Sequence, residues 1–236
     1  MLAAACGNVV APASRDASVD TQGSQPMLVA SEHAHISTAT TLSFSATVPP
    51  GDDRYLLVAV GIGSHSADTT VPSVTGISYG GAPLTRVAFV TGTPVAANVT
   101  RSEQWQLIAP PVGAADIEIT LSGAGIVLHG GALAFTGVDP AMPVRASSVG
   151  SGEGSDASLS VTSAPGDLVV STVGHGNAIV ATGTGQSPVY IQNVSTSTSL
   201  DNSAASTASG APTVAMTWTF IDVDVWQMIA TSLRPR

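Results

Sequence analysis

Few residues of this chain could do chemistry: five histidines, sixteen acids, one cysteine and a serine framed by glycines. Gly76-Ile77-Ser78-Tyr79-Gly80 carries the G-x-S-x-G pattern of a hydrolase nucleophile elbow, in which a strand feeds a sharp turn and then a helix that helps to stabilise the oxyanion. Here Gly81-Ala82-Pro83 follows and leads into another apolar alternation, which weighs against a hydrolase and for a glycine-flanked turn between strands. His33 and His35 stand two apart on an alternating stretch and so share a face, as a two-histidine metal site requires. His65, His129 and His175 lie elsewhere, with His65 and His175 in similar places after an apolar run. None has H-E-x-x-H spacing, and solvated turn histidines are the plainer reading.

Among the acids, Asp222 and Asp224 flank Val223 and are the candidate metal residues. With Asp52, Asp53, Asp68, Asp139, Asp167 or Asp201 they could offer calcium some of the roughly six to eight oxygens it takes. No calcium-loop repeat accompanies them, and aspartate in turns more often bonds its own backbone. No cofactor is expected; calcium is the candidate ion for the aspartates, as zinc or copper would be for converging histidines. Glu103, beside Trp105, and Glu118 could serve as an acid pair for glycoside hydrolysis, but nothing in the spacing selects them. Of ten aromatic residues, Phe44, Tyr55, Phe89, Phe135, Trp218 and Phe220 sit in strand contexts that default to core. Tyr79, Trp105, Tyr190 and Trp226 are less settled; Trp105, Tyr190 and Trp226 are the candidates for a sugar-binding platform, against the alternative that they pack. No catalytic residue is assigned.

Those residues must be positioned by strands. The charged fraction is only 10%, glycine and proline number 24 and 15, and no stretch keeps a 3.6-residue apolar period, so helix content should be very low. Residues 114–140, AADIEITLSGAGIVLHGGALAFTGVDP, read as a half-buried strand, a tight turn at Gly123-Ala124-Gly125, and a return strand that is apolar on both faces. Residues 213–235 echo that hairpin. The run 55–62 reads as a central strand. Leu42-Ser-Phe-Ser-Ala-Thr-Val-Pro-Pro-Gly-Asp52-Asp53 and the strand after it recur as Leu159-Ser-Val-Thr-Ser-Ala-Pro-Gly-Asp167 and its strand. This marks two degenerate half-repeats, 42–140 and 159–235. The fold class is all-β: a two-sheet antiparallel sandwich, jelly-roll-like, with the halves expected to interlock by each giving strands to both sheets. Two separate small sandwiches are the alternative. Residues 26–236 are read as one sandwich domain and 1–25 as signal remnant and flexible tether.

Net charge is −9 with seven scattered arginines and no lysine, which denies nucleic acid the positive patch it requires. Cys6, the single cysteine, excludes an intrachain disulfide. Met1-Leu2-Ala3-Ala4-Ala5-Cys6-Gly7 resembles the end of a bacterial lipoprotein signal, in which Cys6 would be lipidated, although the leucine stands one place too far from it and the apolar region before it is short of the usual ~7–15 residues. The rival reading is an ordinary N-terminus with a chance cysteine.

The stretches LSFSATVPPGDDRYLLVAVGI, VTGISYGGAPLTRV, EQWQLIAPPVGAADIEITLSG and ALAFTGVDP together resemble a β-sandwich module recurring in bacterial secreted and surface proteins. The resemblance spans residues 42–234 and rests on structural motifs, so it implies an extracytoplasmic sandwich and no particular chemistry. The expectation is a non-catalytic surface or secreted protein, structural or adhesive, held at the outer membrane only through Cys6 or released. Its partners would be a polysaccharide or a surface protein. The alternatives are a lectin-like module, assisted by calcium, and a hydrolase.

Overall fold

The computed structural model describes residues 24–65, 71–92, 98–194 and 202–236. Thirteen strands run in chain order: β1 (Met27–Val48), β2 (Tyr55–His65), β3 (Val74–Tyr79), β4 (Ala82–Pro83), β5 (Thr85–Thr91), β6 (Asn98–Ile108), β7 (Gly113–Thr136), β8 (Val144–Thr162), β9 (Leu168–His175), β10 (Ile179–Thr182), β11 (Gln186–Asn193), β12 (Asn202–Ser209) and β13 (Thr213–Leu233). All pairings are antiparallel, and no helix occurs among the described residues. The chain is all-β, in two antiparallel sheets packed against each other. The first has the order β4-β3-β7-β2-β6-β5 with β1 on the other side of β7, and the second has β10-β13-β9-β12-β11 with β8 beside β13.

The sheets do not share strands. β1 to β7 form one and β8 to β13 the other, so the expected interlocking of halves is replaced by one sheet per half-repeat. The expected hairpin at Gly123-Ala124-Gly125 is likewise absent, because β7 continues through it as one long strand. Its first part pairs with β3 and its second with β2, while β1 follows it along both. Small residues let the strand bend from one layer to the other instead of reversing onto itself. Ile119 and Gly130 would be about 36 Å apart on a straight strand. In the fold a Cβ on Gly130 would come within 2.9 Å of Ile119 Cδ1, so the sheet has doubled over. β13 does the same: its first part pairs with β10 and its second with β9.

Each doubled sheet encloses its own core. In the first half Leu56, Val58, Val60 and Ile62 of β2 meet Leu42, Ile77, Ile117 and Ile119 from the other layer. In the second, Val169 and Val173 meet Ala157, Val161, Met216 and Trp218. Trp218, 1% exposed, donates from Nε1 to Ser171 Oγ across that core at 3.0 Å. A third apolar cluster lies between the halves and contains Tyr55, Leu57, Leu133 and Phe135 from one and Val170, Tyr190, Ala205 and Leu233 from the other. The alternation of β2 accounts for both: even positions face the inner core and Tyr55 and Leu57 the partner half.

The repeat is visible in the register. Gly61 pairs with His129 and Ser102, and Gly174 with Gln227 and Ser203, so β1, β2, β5, β6 and β7 correspond to β8, β9, β11, β12 and β13. Across the seam β5 lies against β8, β6 against β13, β2 against β9 and β1 against β11. β5 thus meets the counterpart of β1, β1 meets the counterpart of β5, and β2 meets its own, the reciprocal pattern of an isologous, two-fold-like interface.

Candidate functional site at the seam between the halves

The last parts of β2 and β9 and the first parts of β6 and β12 meet at one place. Gly61, Ile62, Arg101 and His129 of the first half line one small crevice with their register counterparts Gly174, His175, Asn202 and Gln227, together with Thr100 and Ser102. Gln227 is 2% exposed, and its Nε2 is buried without a hydrogen-bond partner among the described residues. Such an atom calls for an ordered water, and the crevice has room for about one.

Deeper in the seam Gln104, fully buried on β6, donates from Nε2 to Thr172 Oγ1 at 3.0 Å, and its Oε1 accepts from Thr231 Oγ1 at 2.6 Å. At the β1–β11 edge His33 stacks on Tyr190, with ring centroids 4.8 Å apart and planes 14° from parallel. Burial pushes the Tyr190 phenol up to about 12, against a hydrogen bond with Ser203 that pulls the other way. Gln192 bridges His35 Nδ1 at 3.1 Å and His129 Nδ1 at 2.9 Å.

The shared face expected for His33 and His35 is present: both reach β11. His129 joins them, whereas His175 sits in the second core, stacked on Phe220 at 3.6 Å. Asn177 N–H donates to its Nδ1, and its Nε2 donates to Gly154 O. Burial pushes the His175 imidazole below its ordinary value, opposed by its backbone hydrogen bonds at Asn177 and Gly154 and by the charge of Asp224. His65 pairs with Asn98, three places beyond the position equivalent to His175, so the two are not counterparts; Ile62 is. The side chain of His65 lies outside the described residues. Among those residues no group of three His, Cys, Asp or Glu could hold a metal ion.

Asp222 and Asp224 lie where β13 bends, at a register shift, and each accepts from the N–H of the residue after it. Asp224 Oδ2 also accepts from Asn177 Nδ2 at 3.4 Å. Ser78 donates to Glu118 Oε2 and is followed by the Gly80-Gly81 turn and β4, with no helix. The three platform candidates do not converge. Tyr190 is buried, Trp105 is half-buried against the first core, and Trp226 lies half-buried over Gly150 and Gly152. Tyr79 is buried and donates to Gly113 O. Phe89, assigned to the core by its strand context, is instead 46% exposed, with the guanidinium groups of Arg86 and Arg101 over its ring at 4.7 and 4.3 Å. It lies on β5, an edge strand, where alternation persists without a layer to cover it.

Two buried acids tie strands together. Glu103 accepts from Arg101 Nε at 2.6 Å, Trp105 Nε1 at 3.0 Å and Val74 N–H at 3.1 Å, joining β6 to β3. Asp167 accepts from Arg145, Ser163, Ser232 and Ala164 N–H. Burial pushes the Asp167 carboxyl up, but the bonds from Arg145, Ser232 and Ser163 outweigh it and hold the group below its ordinary value. Sequence reasoning missed Gln104, Gln192 and Gln227, because a glutamine within an alternating strand carries no signal of the surface it will meet. Cys6 lies outside the described residues. Compared with known proteins, the chain matches no family model, no curated protein and no solved structure.

Proposed function

We propose that this chain is a non-catalytic β-sandwich protein of the bacterial surface or exterior, with a structural or adhesive role. The observation that carries the reading is the employment of its buried polar groups. Glu103, Asp167, Gln104 and His175 each hold together strands of different layers or halves. A catalytic carboxylate or imidazole must instead face a substrate with its proton-accepting atoms available. A charge-poor, strand-rich body suits presentation of a binding surface on a tether, and Cys6 would supply the anchor.

The test is retention of beads coated with residues 26–236 on polysaccharide- and protein-coated surfaces under flow, with calcium or a chelator, beside a fluorogenic ester and glycoside panel. Retention without turnover is expected. Turnover that disappears in Ser78→Ala or Glu103→Gln would overturn the reading. Selective glycan retention lost in chelator would replace it with a calcium-assisted lectin and direct attention to Asp222 and Asp224.

A further inference from the structure

At the edge of the first sheet, β5 and β6 gather two arginines around an exposed ring. In the ladder Arg86 stands opposite Trp105, Phe89 opposite Glu103 and Thr91 opposite Arg101, so Phe89 has an arginine position to either side of it. Residues 101, 103 and 105 of β6 share one face by alternation, the face turned away from the seam that Gln104 enters. Both guanidinium groups lie over the Phe89 ring, and that of Arg86 also lies 5.8 Å from the Trp105 ring.

Charge does not balance there. Glu103, wholly buried, meets Arg101 Nε at 2.6 Å and Arg86 Nη1 at 3.6 Å, and among the described residues it is the one carboxylate that pairs with either. Two cations thus share one anion, and a positive charge is left over on a chain whose net charge is −9. Donors are left over as well. Arg101 gives Nε to Glu103 and Nη1 to Thr91 Oγ1, whereas Arg86, with 41% of its side chain exposed, donates no hydrogen bond to a described residue. Glu103 is fixed where it is by Val74 N–H and Trp105 Nε1.

We propose that the rim formed by Arg86, Phe89 and Arg101 binds a carboxylate-bearing polysaccharide, a uronate residue giving its carboxylate to the guanidinium groups and its C–H surface to the ring. A planar guanidinium fork held in place in advance suits a carboxylate, and an exposed ring beside it suits the apolar side of a sugar. A protein partner would instead call for on the order of 1,000 Å² around an apolar centre. Phe89 is the one exposed large apolar residue of β5, and Ile108, that of β6, stands at the last position of its strand. The negative charge of the rest of the chain opposes a polyanion at long range, so the contact is local, and the repeated carboxylates of a polymer strengthen it by rebinding. The inference gives a ligand class to the adhesive role proposed above and rests on that reading.

The experiment measures binding of the full chain to immobilised polygalacturonate, dextran, polyglutamate and a neutral protein coat, in chelator at low ionic strength, with urea midpoints as the control for folding. Polygalacturonate should hold the chain and dextran should not. Arg86→Gln and Phe89→Ala, both at exposed positions, should each bind polygalacturonate about tenfold more weakly, and Arg86→Lys, which keeps the charge without the fork, should fall between Arg86→Gln and the original chain. Equal binding to dextran and polygalacturonate would overturn the site, as would binding unchanged in Arg86→Gln or polyglutamate held as firmly as polygalacturonate. Retention on the protein coat alone, the same in Arg86→Gln, would overturn this site and leave the adhesive reading standing. Retention on none of the four surfaces would remove both.

Discussion

Gln104 on β6 and Thr172 on β9 are hydrogen-bonded across the two halves at 3.0 Å, and the register gives each a counterpart of opposite character. Ala59 pairs with Gln104 as Thr172 pairs with Ala205, so Ala205 stands where Gln104 stands and Ala59 where Thr172 stands. Thr231, the second partner of Gln104, corresponds to Leu133. One side of the two-fold-like seam is thus a buried polar triad, and the other is the same three places filled with Ala205, Ala59 and Leu133. After duplication, equivalent contacts can diverge this way because a fully bonded polar set and an apolar set are alternative solutions to the same burial.

Asp167 should be a principal support of the second half. Asp167→Asn breaks the pair with Arg145 and weakens the bonds from Ser163 and Ser232, and should cost about 3 kcal/mol, measured from urea unfolding midpoints. The folded carboxyl is held below its unfolded value, so its contribution is present above the unfolded carboxylate pKa and is lost as pH falls through the folded one. The variant should therefore lose this part of the acid dependence as well as stability.

His175 carries the opposite charge logic. Its folded imidazole is pushed down, so folding favours the neutral ring, and its contribution, present above the ordinary histidine value, is lost as pH falls below it. His175→Gln should lower stability at pH 7.5 by about 1–2 kcal/mol and flatten the fall towards pH 5, both read from the same unfolding curves.

Gly131 faces the seam where Tyr190 packs, and a Cβ there would overlap the Tyr190 ring. Gly131→Val should cost about 1–3 kcal/mol, observed as a lowered Tm. Gly81→Val, with nothing near the added Cβ but a φ of +82°, should lower the Tm through backbone strain alone.

Glu103→Gln removes the charge that meets Arg101 and weakens the tie from β6 to Val74 on β3. The expected loss is about 3 kcal/mol, with exchange protection falling first in residues 74–79.

Much of this fold was legible from period-two alternation. The strand over 55–62, the half-repeats and the near-absence of helix follow from local pattern, which a strand's pleat imposes directly. The bend in β7 was not legible, because Gly123-Ala124-Gly125 permits either a reversal or a turn into a second layer, and only β2 and β3 as competing partners decide between them. The candidate site was legible in part: His33 and His35 were on one face as alternation required. Gln192, which gives that face its chemistry, comes from more than 150 positions away. Trp105, Tyr190 and Trp226 were visible as aromatics, but whether a ring is covered depends on what packs over it: the opposing half for Tyr190, the first core for Trp105, and Gly150 and Gly152 for Trp226.

The seam is tested most directly by exchanging its polar side for its apolar one. Gln104→Ala alone leaves the Thr172 and Thr231 hydroxyls buried without the amide and should lower unfolding free energy by about 2 kcal/mol. Adding Thr172→Ala and Thr231→Leu copies the Ala205, Ala59 and Leu133 side, while the exposed Ser147 that bonded Thr231 turns to water. The triple variant should recover to within about 1 kcal/mol of the original chain in urea unfolding. A triple variant less stable than Gln104→Ala would contradict the two-fold correspondence of the halves.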